Sequence, residues 1–258
     1  MKTIGGTAAA VIMKGEEGHF GKTPFMLYEE FLGLREEEDL SDVLRVQMGI
    51  ATESFNGDWY TKQTGNVLVR DLEPLRHPNY DFMHASVDGL VPKINAVFEA
   101  KHTGAWSKSD AVQNYYPQLQ HYMMVTGRSL AHLSVFKDNS QWNLYEVPID
   151  EPYIEEMARR EIGFWEAVQD KTPPEEGMPL VNAPKAAPIK TVDMFGNNEW
   201  AASAADWMVN KKAAKVFDTA AKSIKGLTPD DAAIAHGHGV LVTRDKKGSL
   251  RIKEQGDE

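Results

Sequence analysis

The sequence predicts an α/β domain, a central mixed sheet flanked by helices, with a helix and a hairpin appended at the C-terminal end. Three observations carry that expectation. Helical and strand-like segments alternate along residues 1–172, and no internal repeat is visible. Residues 87–101 (VDGLVPKINAVFEAK) read as a tight antiparallel hairpin. Residues 172–190 hold five prolines and no periodicity, which reads as an extended linker. The expected organisation is a domain over residues 1–172, a proline-rich linker over 173–190 and an appendage over 191–258.

Each element has its own reason. Residues 1–35 mix glycine and alanine with an apolar stretch at 23–34, where Phe25, Leu27, Tyr28, Phe31 and Leu32 share a broad helical face. Asp39 or Ser41 is placed to cap a second helix running to about Thr64. Residues 84–102 turn strand-like. Residues 111–125 read as a helix that Pro117 must start or kink, because proline lacks an N–H and crowds the preceding turn. Strands at 130–137 and 141–148 are joined by the turn residues Asp138, Asn139 and Ser140. Residues 150–169 form a helix in which Ile154, Met157, Ile162 and Trp165 recur with helical rhythm. Beyond the linker comes a helix at 198–225, with Trp200, Trp207 and Phe217 as a packing stripe. A hairpin follows, 239–244 and 249–253, turning at Asp245-Lys246-Lys247-Gly248.

Composition narrows the function classes. The chain has 258 residues, 42% hydrophobic and 26% charged, enough to bury the core of an enzyme or binding domain. It has no cysteine, which removes disulfide scaffolds, thiolate-ligated zinc, iron–sulfur clusters and cysteine nucleophiles. It lacks both a long apolar run and a signal-like N-terminus, so the expected setting is soluble and intracellular. The net charge of −10 weighs against a passive nucleic-acid coat. That charge is uneven: residues 211–258 hold ten Lys/Arg and seven Asp/Glu, which leaves −13 on the first 210. No G-x-x-x-x-G-K-[ST] is present, so ATP-driven chemistry is not indicated. His102 and His121 read as hydrogen-bonded structural groups. His236 and His238, flanked by glycine, fit a turn better than a zinc site with no clear third ligand.

The chemistry concentrates in the 87–101 hairpin. With Pro92 to Asn95 as a four-residue loop, Val91 pairs with Ala96 and Asp88 falls opposite Glu99. Opposed residues share a face, with Cβ atoms about 5 Å apart. The two-residue period puts Lys101 and Val97 on that face, and Phe98 and Ala100 on the other. Two carboxylates so close are costly unless a cation sits between them. Hard oxygen donors favour magnesium or manganese. An adjacent lysine can act on a nucleophilic water or on developing negative charge, a set that suits metal-assisted phosphodiester hydrolysis. The same residues also fit an edge hairpin whose polar face carries an ordinary Glu/Lys pair.

Asp88 followed by Glu99-Ala100-Lys101 resembles the D…E-x-K signature of the PD-(D/E)xK nucleases. More specifically, the chain resembles the YqaJ-type viral recombinase nucleases, relatives of phage lambda exonuclease. Gly5-Gly6-Thr7-Ala8-Ala9-Ala10, with Lys22-Thr23-Pro24 and Leu27-Tyr28, resembles their opening glycine/serine motif and first helix. Gly49-Ile50-Ala51-Thr52-Glu53, with Thr64-Gly65 downstream, resembles their G-x-x-x-E helix. Tyr116-Pro117-Gln118-Leu119-Gln120-His121-Tyr122, with Val125-Thr126-Gly127, resembles their tyrosine and Q-x-Q helix. The blocks run in the family's order over residues 1 to about 170.

The resemblance implies a restriction-endonuclease-like core and a magnesium-dependent (or manganese-dependent) deoxyribonuclease. It implies a 5′→3′ exonuclease on linear duplex ends, making single strands for phage-type recombination. Asp88, Glu99 and the Ala100 carbonyl would be metal ligands. Lys101 would act on the attacking water, and Glu53 and Gln118 would project toward the same site. Thr7 stands where the family has a serine that contacts a DNA phosphate. The family's upstream arginine is absent here; only Lys2 could substitute. Pro117 also departs from an alanine-like position. The implied partners are double-stranded DNA ends, a single-strand annealing protein and further copies of the chain in a ring. No membrane is implied, and the setting is the cytoplasm of a bacterium or phage-infected host. Competing readings are a structure-selective repair endonuclease and a recombination scaffold with weak activity.

Overall fold

The structure is a computed structural model that describes residues 2–104, 110–174, 178–184, 187–189 and 194–255. The chain divides into two compact units, Met1–Lys190 and Thr191–Glu258.

In the first unit, α1 (Gly6–Lys14) buries Ala9, Ala10, Val11, Ile12 and Met13. Its run of five consecutive buried residues leaves no clear amphipathic pattern. α2 (Pro24–Phe31) starts with proline in its first turn, where a missing N–H costs nothing, and Thr23 Oγ1 accepts the Met26 N–H. Leu27 and Tyr28 are buried and Phe31 meets Phe164 edge-on; Phe25, expected on the same face, is exposed. α3 (Leu44–Thr64) corrects the expected caps. Its N-cap is Val43, with no side-chain bond, and Asp39 Oδ1 instead accepts the Ser41 N–H in a local turn.

β1 (Leu75–Arg76) and β2 (His84–Ala85) form a two-stranded ribbon. β3 (Gly89–Val91) and β4 (Ala96–Thr103) are the expected hairpin, paired Val91 with Ala96, Leu90 with Val97 and Gly89 with Phe98. A 3₁₀ turn at Pro92–Ile94 and a left-handed Asn95 (φ 52) close it. The ladder ends at Gly89, so Asp88 does not pair across from Glu99 as expected. Its carboxylate instead takes the Ala100 N–H, which pins it beside β4 from just outside the ladder.

α4 (Ala111–Thr126) begins at Asp110, whose carboxylate accepts the N–H groups of Val112 and Gln113. Pro117 therefore does not start the helix. It sits inside it, between the buried Tyr116 and Leu119 that hold this face in the core. β5 (Leu130–Lys137) pairs parallel to β4, and β6 (Gln141–Pro148) antiparallel to β5. The sheet is thus mixed, in the order β3-β4-β5-β6. α5 (Glu151–Asp170) is capped by Asp150, which also takes the Tyr116 hydroxyl proton. Pleating splits β4 between two cores. Ala96, Phe98 and Ala100 join Tyr60 of α3, whereas Val97 joins Tyr116 and Leu119 of α4.

The segment expected as a linker is extended, yet its described part is bonded along the first unit. Val181 N–H donates to Met13 O, Arg160 to Pro179 O and Ile189 N–H to Leu144 O. Residues 175–177, 185–186 and 190 of it lie outside the described residues.

The second unit holds α6 (Asn198–Leu227), capped by Asn197, and a three-stranded antiparallel sheet of β7 (Ile234–Gly237), β8 (Val240–Arg244) and β9 (Leu250–Glu254). β8 and β9 are the expected hairpin; β7 is an added strand. Trp200, Trp207 and Phe217, expected to pack, are exposed on α6.

Candidate active site

β4 lies between β3 and β5, and that interior position buries Glu99 to 2% exposure. One pleat on, toward the strand's end, Lys101 points to the same side. Its Nζ pairs with Glu99 Oε1. Gln118 Nε2 reaches down from α4 and donates to the same Oε1 at 2.8 Å, and to the Tyr122 hydroxyl at 2.8 Å. Glu99 Oε2 is buried with no N–H or cation on it, and the Glu99 carboxyl lies within hydrogen-bonding reach of Asp88. Asp88 Oδ2 accepts the Ala100 N–H at 2.7 Å. The backbone behind is fixed as well. Asn56 Nδ2 on α3 donates to Lys101 O at 3.3 Å and to Ser134 O at 3.1 Å, which ties β4, β5 and α3 together.

The electrostatics are those of crowded, desolvated carboxylates. Burial pushes the Glu99 carboxyl up to about 8; Lys101 opposes this, while Asp88 and Glu53 add to it. Burial also raises Asp88, against Lys101 and the Ala100 amide. Glu53 is raised by burial and then by Asp88. For Lys101, burial works against the ammonium, but Glu99 and Asp88 outweigh it and hold the group above the usual lysine range.

Asp88, Ala100, Lys101, Gln118, Glu53 and Thr7 all line one cavity of about 1130 Å³. Glu99 lies behind Lys101 and Gln118. The residues singled out in the sequence therefore converge, at different depths. Glu53 and Thr7 stand exposed at the cavity wall, whereas Glu99 is enclosed. Thr7, in the first turn of α1, also lines an adjoining cavity of about 370 Å³ with Lys2, Lys22 and His84. Both lysines there are paired, Lys2 with Glu37 and Lys22 with Glu30. His102 bonds Thr52, and His121 bonds Glu161 and His84 O, so both are structural.

Sequence reasoning missed Asn56, Arg45, His19 and Phe20. Tyr115 places its ring 5.0 Å from Lys101 Nζ; Arg45, His19 and Phe20 line the large cavity. Asn56 had a signal: it follows Glu53 by three and precedes the buried Tyr60 by four, one helix face turned to the sheet. Among the described residues, no three His, Asp or Glu side chains gather closely enough to make a metal cage by themselves. Two carboxyl groups, Asp88 and Glu99, stand close together there, with Asp88 held by the Ala100 N–H.

The first unit's fold, a mixed sheet flanked by helices, is similar to that of solved structures. An alkaline exonuclease from Laribacter hongkongensis matches with a TM-score of 0.53 and 19% identity, over 66% of this chain and 89% of that one. The same exonuclease in complex with dAMP matches equally. The expected restriction-endonuclease-like core is therefore present. Residues 1–129 match the YqaJ-like viral recombinase domain, and the chain belongs to that family. The Bacillus subtilis (strain 168) protein YqaJ is 28% identical over 172 residues, 64% of this chain and 52% of that protein. The chain thus spans about half the length of that curated relative.

Proposed function

We propose that this chain is a divalent-metal-dependent DNA exonuclease that works 5′→3′ from linear duplex ends and leaves single strands for recombination. The observation that carries the reading is Glu99. Its carboxyl is buried within hydrogen-bonding reach of Asp88, one oxygen is taken up by Lys101 and Gln118, and the other has no N–H or cation on it. A cation at that oxygen would offset both the missing partner and the carboxylate repulsion. Asp88, Glu99 and the Ala100 carbonyl would hold magnesium, or manganese in its place. The metal would supply Lewis-acid activation of water and charge neutralisation at the phosphate. Lys101, kept protonated by its carboxylate neighbours, orients the water and balances charge on the phosphoryl oxygens. Gln118 fixes the Glu99 carboxylate, and Glu53 faces the reacting volume from α3. Thr7 contacts a DNA phosphate in the adjoining cavity. By family likeness we further infer a homo-oligomeric ring around DNA and a single-strand annealing partner.

The test is degradation of duplexes labelled at the 5′ or the 3′ end, beside closed circular DNA, with and without magnesium. The 5′ label is expected to be released first, only with magnesium, and circular DNA to survive. Cutting of circular DNA would instead make the protein an endonuclease. Binding without cleavage would make it a scaffold. Equal rates on 5′-phosphate and 5′-hydroxyl ends, unchanged in Thr7→Ala, would remove Thr7 from the site.

A further inference from the structure

Residues His19 to Lys22 form a two-residue hairpin turn. The His19 N–H donates to Lys22 O at 2.9 Å, and the Lys22 N–H returns to His19 O at 3.0 Å. Both central residues are left-handed, Phe20 at φ 51 and Gly21 at φ 83. Turns with positive φ at both centres select Asn-Gly, because asparagine tolerates the left-handed region and bulky residues do not. An aromatic at the first position is locally unfavourable. It is also 69% exposed, so burial does not repay the strain. Its ring neighbour is His19, with centroids 4.2 Å apart. Sequence and geometry disagree here with no gain to the fold, and such disagreements gather at functional positions.

The position supplies the reason. His19 and Phe20 line the large cavity together with Asp88, Lys101, Gln118 and Arg45. His19 is pushed down to about 4, by burial first and then by Lys14 and Lys101, so the ring under Phe20 is neutral. A nucleic-acid strand offers phosphates to the cavity's cations. What it offers to a bare aromatic edge is the face of a base, which stacks regardless of sequence.

We propose that Phe20 is a base-stacking contact for the strand held in the cavity, presented by a deliberately strained turn. This rests on the nuclease reading above and adds the residue that grips the base. The test uses Phe20→Asn and Phe20→Trp with a duplex carrying 2-aminopurine at its end, first in EDTA so that no strand is cut. Wild-type protein is expected to quench the fluorophore. Phe20→Asn is expected to lose the quenching and bind about 5- to 150-fold more weakly, while Phe20→Trp keeps both. Phe20→Asn should melt at or above the wild-type temperature, since asparagine suits the turn, which separates lost stacking from misfolding. Magnesium-dependent cleavage by wild-type protein is measured alongside. If wild type cleaves and Phe20→Asn matches it in quenching and affinity, the stacking contact is overturned and the nuclease reading stands. If wild type binds and quenches without cleaving, stacking stands and the nuclease reading falls. If wild type neither binds nor cleaves, both fall.

Discussion

Gln118 donates to Glu99 Oε1 at 2.8 Å, so a residue on a covering helix fixes the carboxylate at the centre of the sheet. The same nitrogen donates to the Tyr122 hydroxyl one turn on, which leaves the amide little freedom to rotate. Groups that orient a metal-binding carboxylate typically matter 10- to 100-fold in metal affinity or activity. Gln118→Leu is therefore expected to lower duplex cleavage by about that factor, with part of the loss recovered at high magnesium. A magnesium titration of the rate checks it; an unchanged titration would remove Gln118 from the site.

Asn56 acts from behind. Its amide bonds the carbonyls of Lys101 and Ser134, its oxygen takes the Ser134 hydroxyl proton, and Trp142 Nε1 donates to that hydroxyl at 2.8 Å. Asn56→Ala leaves buried groups unpaired, a cost of about 1–3 kcal/mol. Denaturant unfolding should show a lower midpoint with an unchanged slope.

His121 is expected to give the first unit a pH dependence. One ring nitrogen meets Glu161 Oε1 and the other His84 O, both at 2.9 Å and both acceptors, so the doubly protonated ring fits the pair of partners. Burial works against the charge, but Glu161 outweighs it and raises the group above the usual histidine value. His77 and His84, which also face it, are pulled down by burial first, with His121 adding. A raised pKa contributes stability that is complete below the unfolded value and lost as pH rises through the folded one. His121→Gln is therefore expected to cost on the order of 3 kcal/mol at pH 6. The gap to wild type should narrow toward pH 9. A gap that widens would put a neutral ring in the fold.

The second unit carries a stripe of lysines on α6, with Lys211 Nζ 4.6 Å from the exposed Trp207 ring. Truncation after residue 190 is expected to keep magnesium-dependent cleavage and to weaken duplex binding most at moderate salt, because each neutralised phosphate releases counterions. A salt series on both proteins measures it. Overlapping curves would leave the unit without a DNA role; aggregation or an altered oligomer would assign α6 to packing.

The parts of the fold that sequence showed are those with a strict period. Alternation from Val87 to Lys101 fixed the face of Glu99 and Lys101, and the loop from Pro92 to Asn95 fixed the register. What alternation could not show is where the ladder stops, so Asp88 reaches the cluster through the Ala100 amide. α1 was hidden because five consecutive buried residues, Ala9 to Met13, show no helical alternation of apolar and polar positions. β7 was hidden because its residues run Ile, Ala, His, Gly, with little strand character. Asn56 draws its meaning from partners across the sheet, and Phe20 from a cavity built by distant residues, neither of which adjacent sequence reports.

We propose that Asp88 and Glu99 together hold the metal that cleaves DNA. The most direct measurement is magnesium-dependent degradation of a linear duplex by wild type, Asp88→Asn and Glu99→Gln, each first shown to be folded by thermal melting. The expected result is cleavage by wild type alone, with magnesium raising its melting temperature and leaving the two variants' unmoved. Near-normal magnesium-dependent cleavage by either variant would place the metal elsewhere.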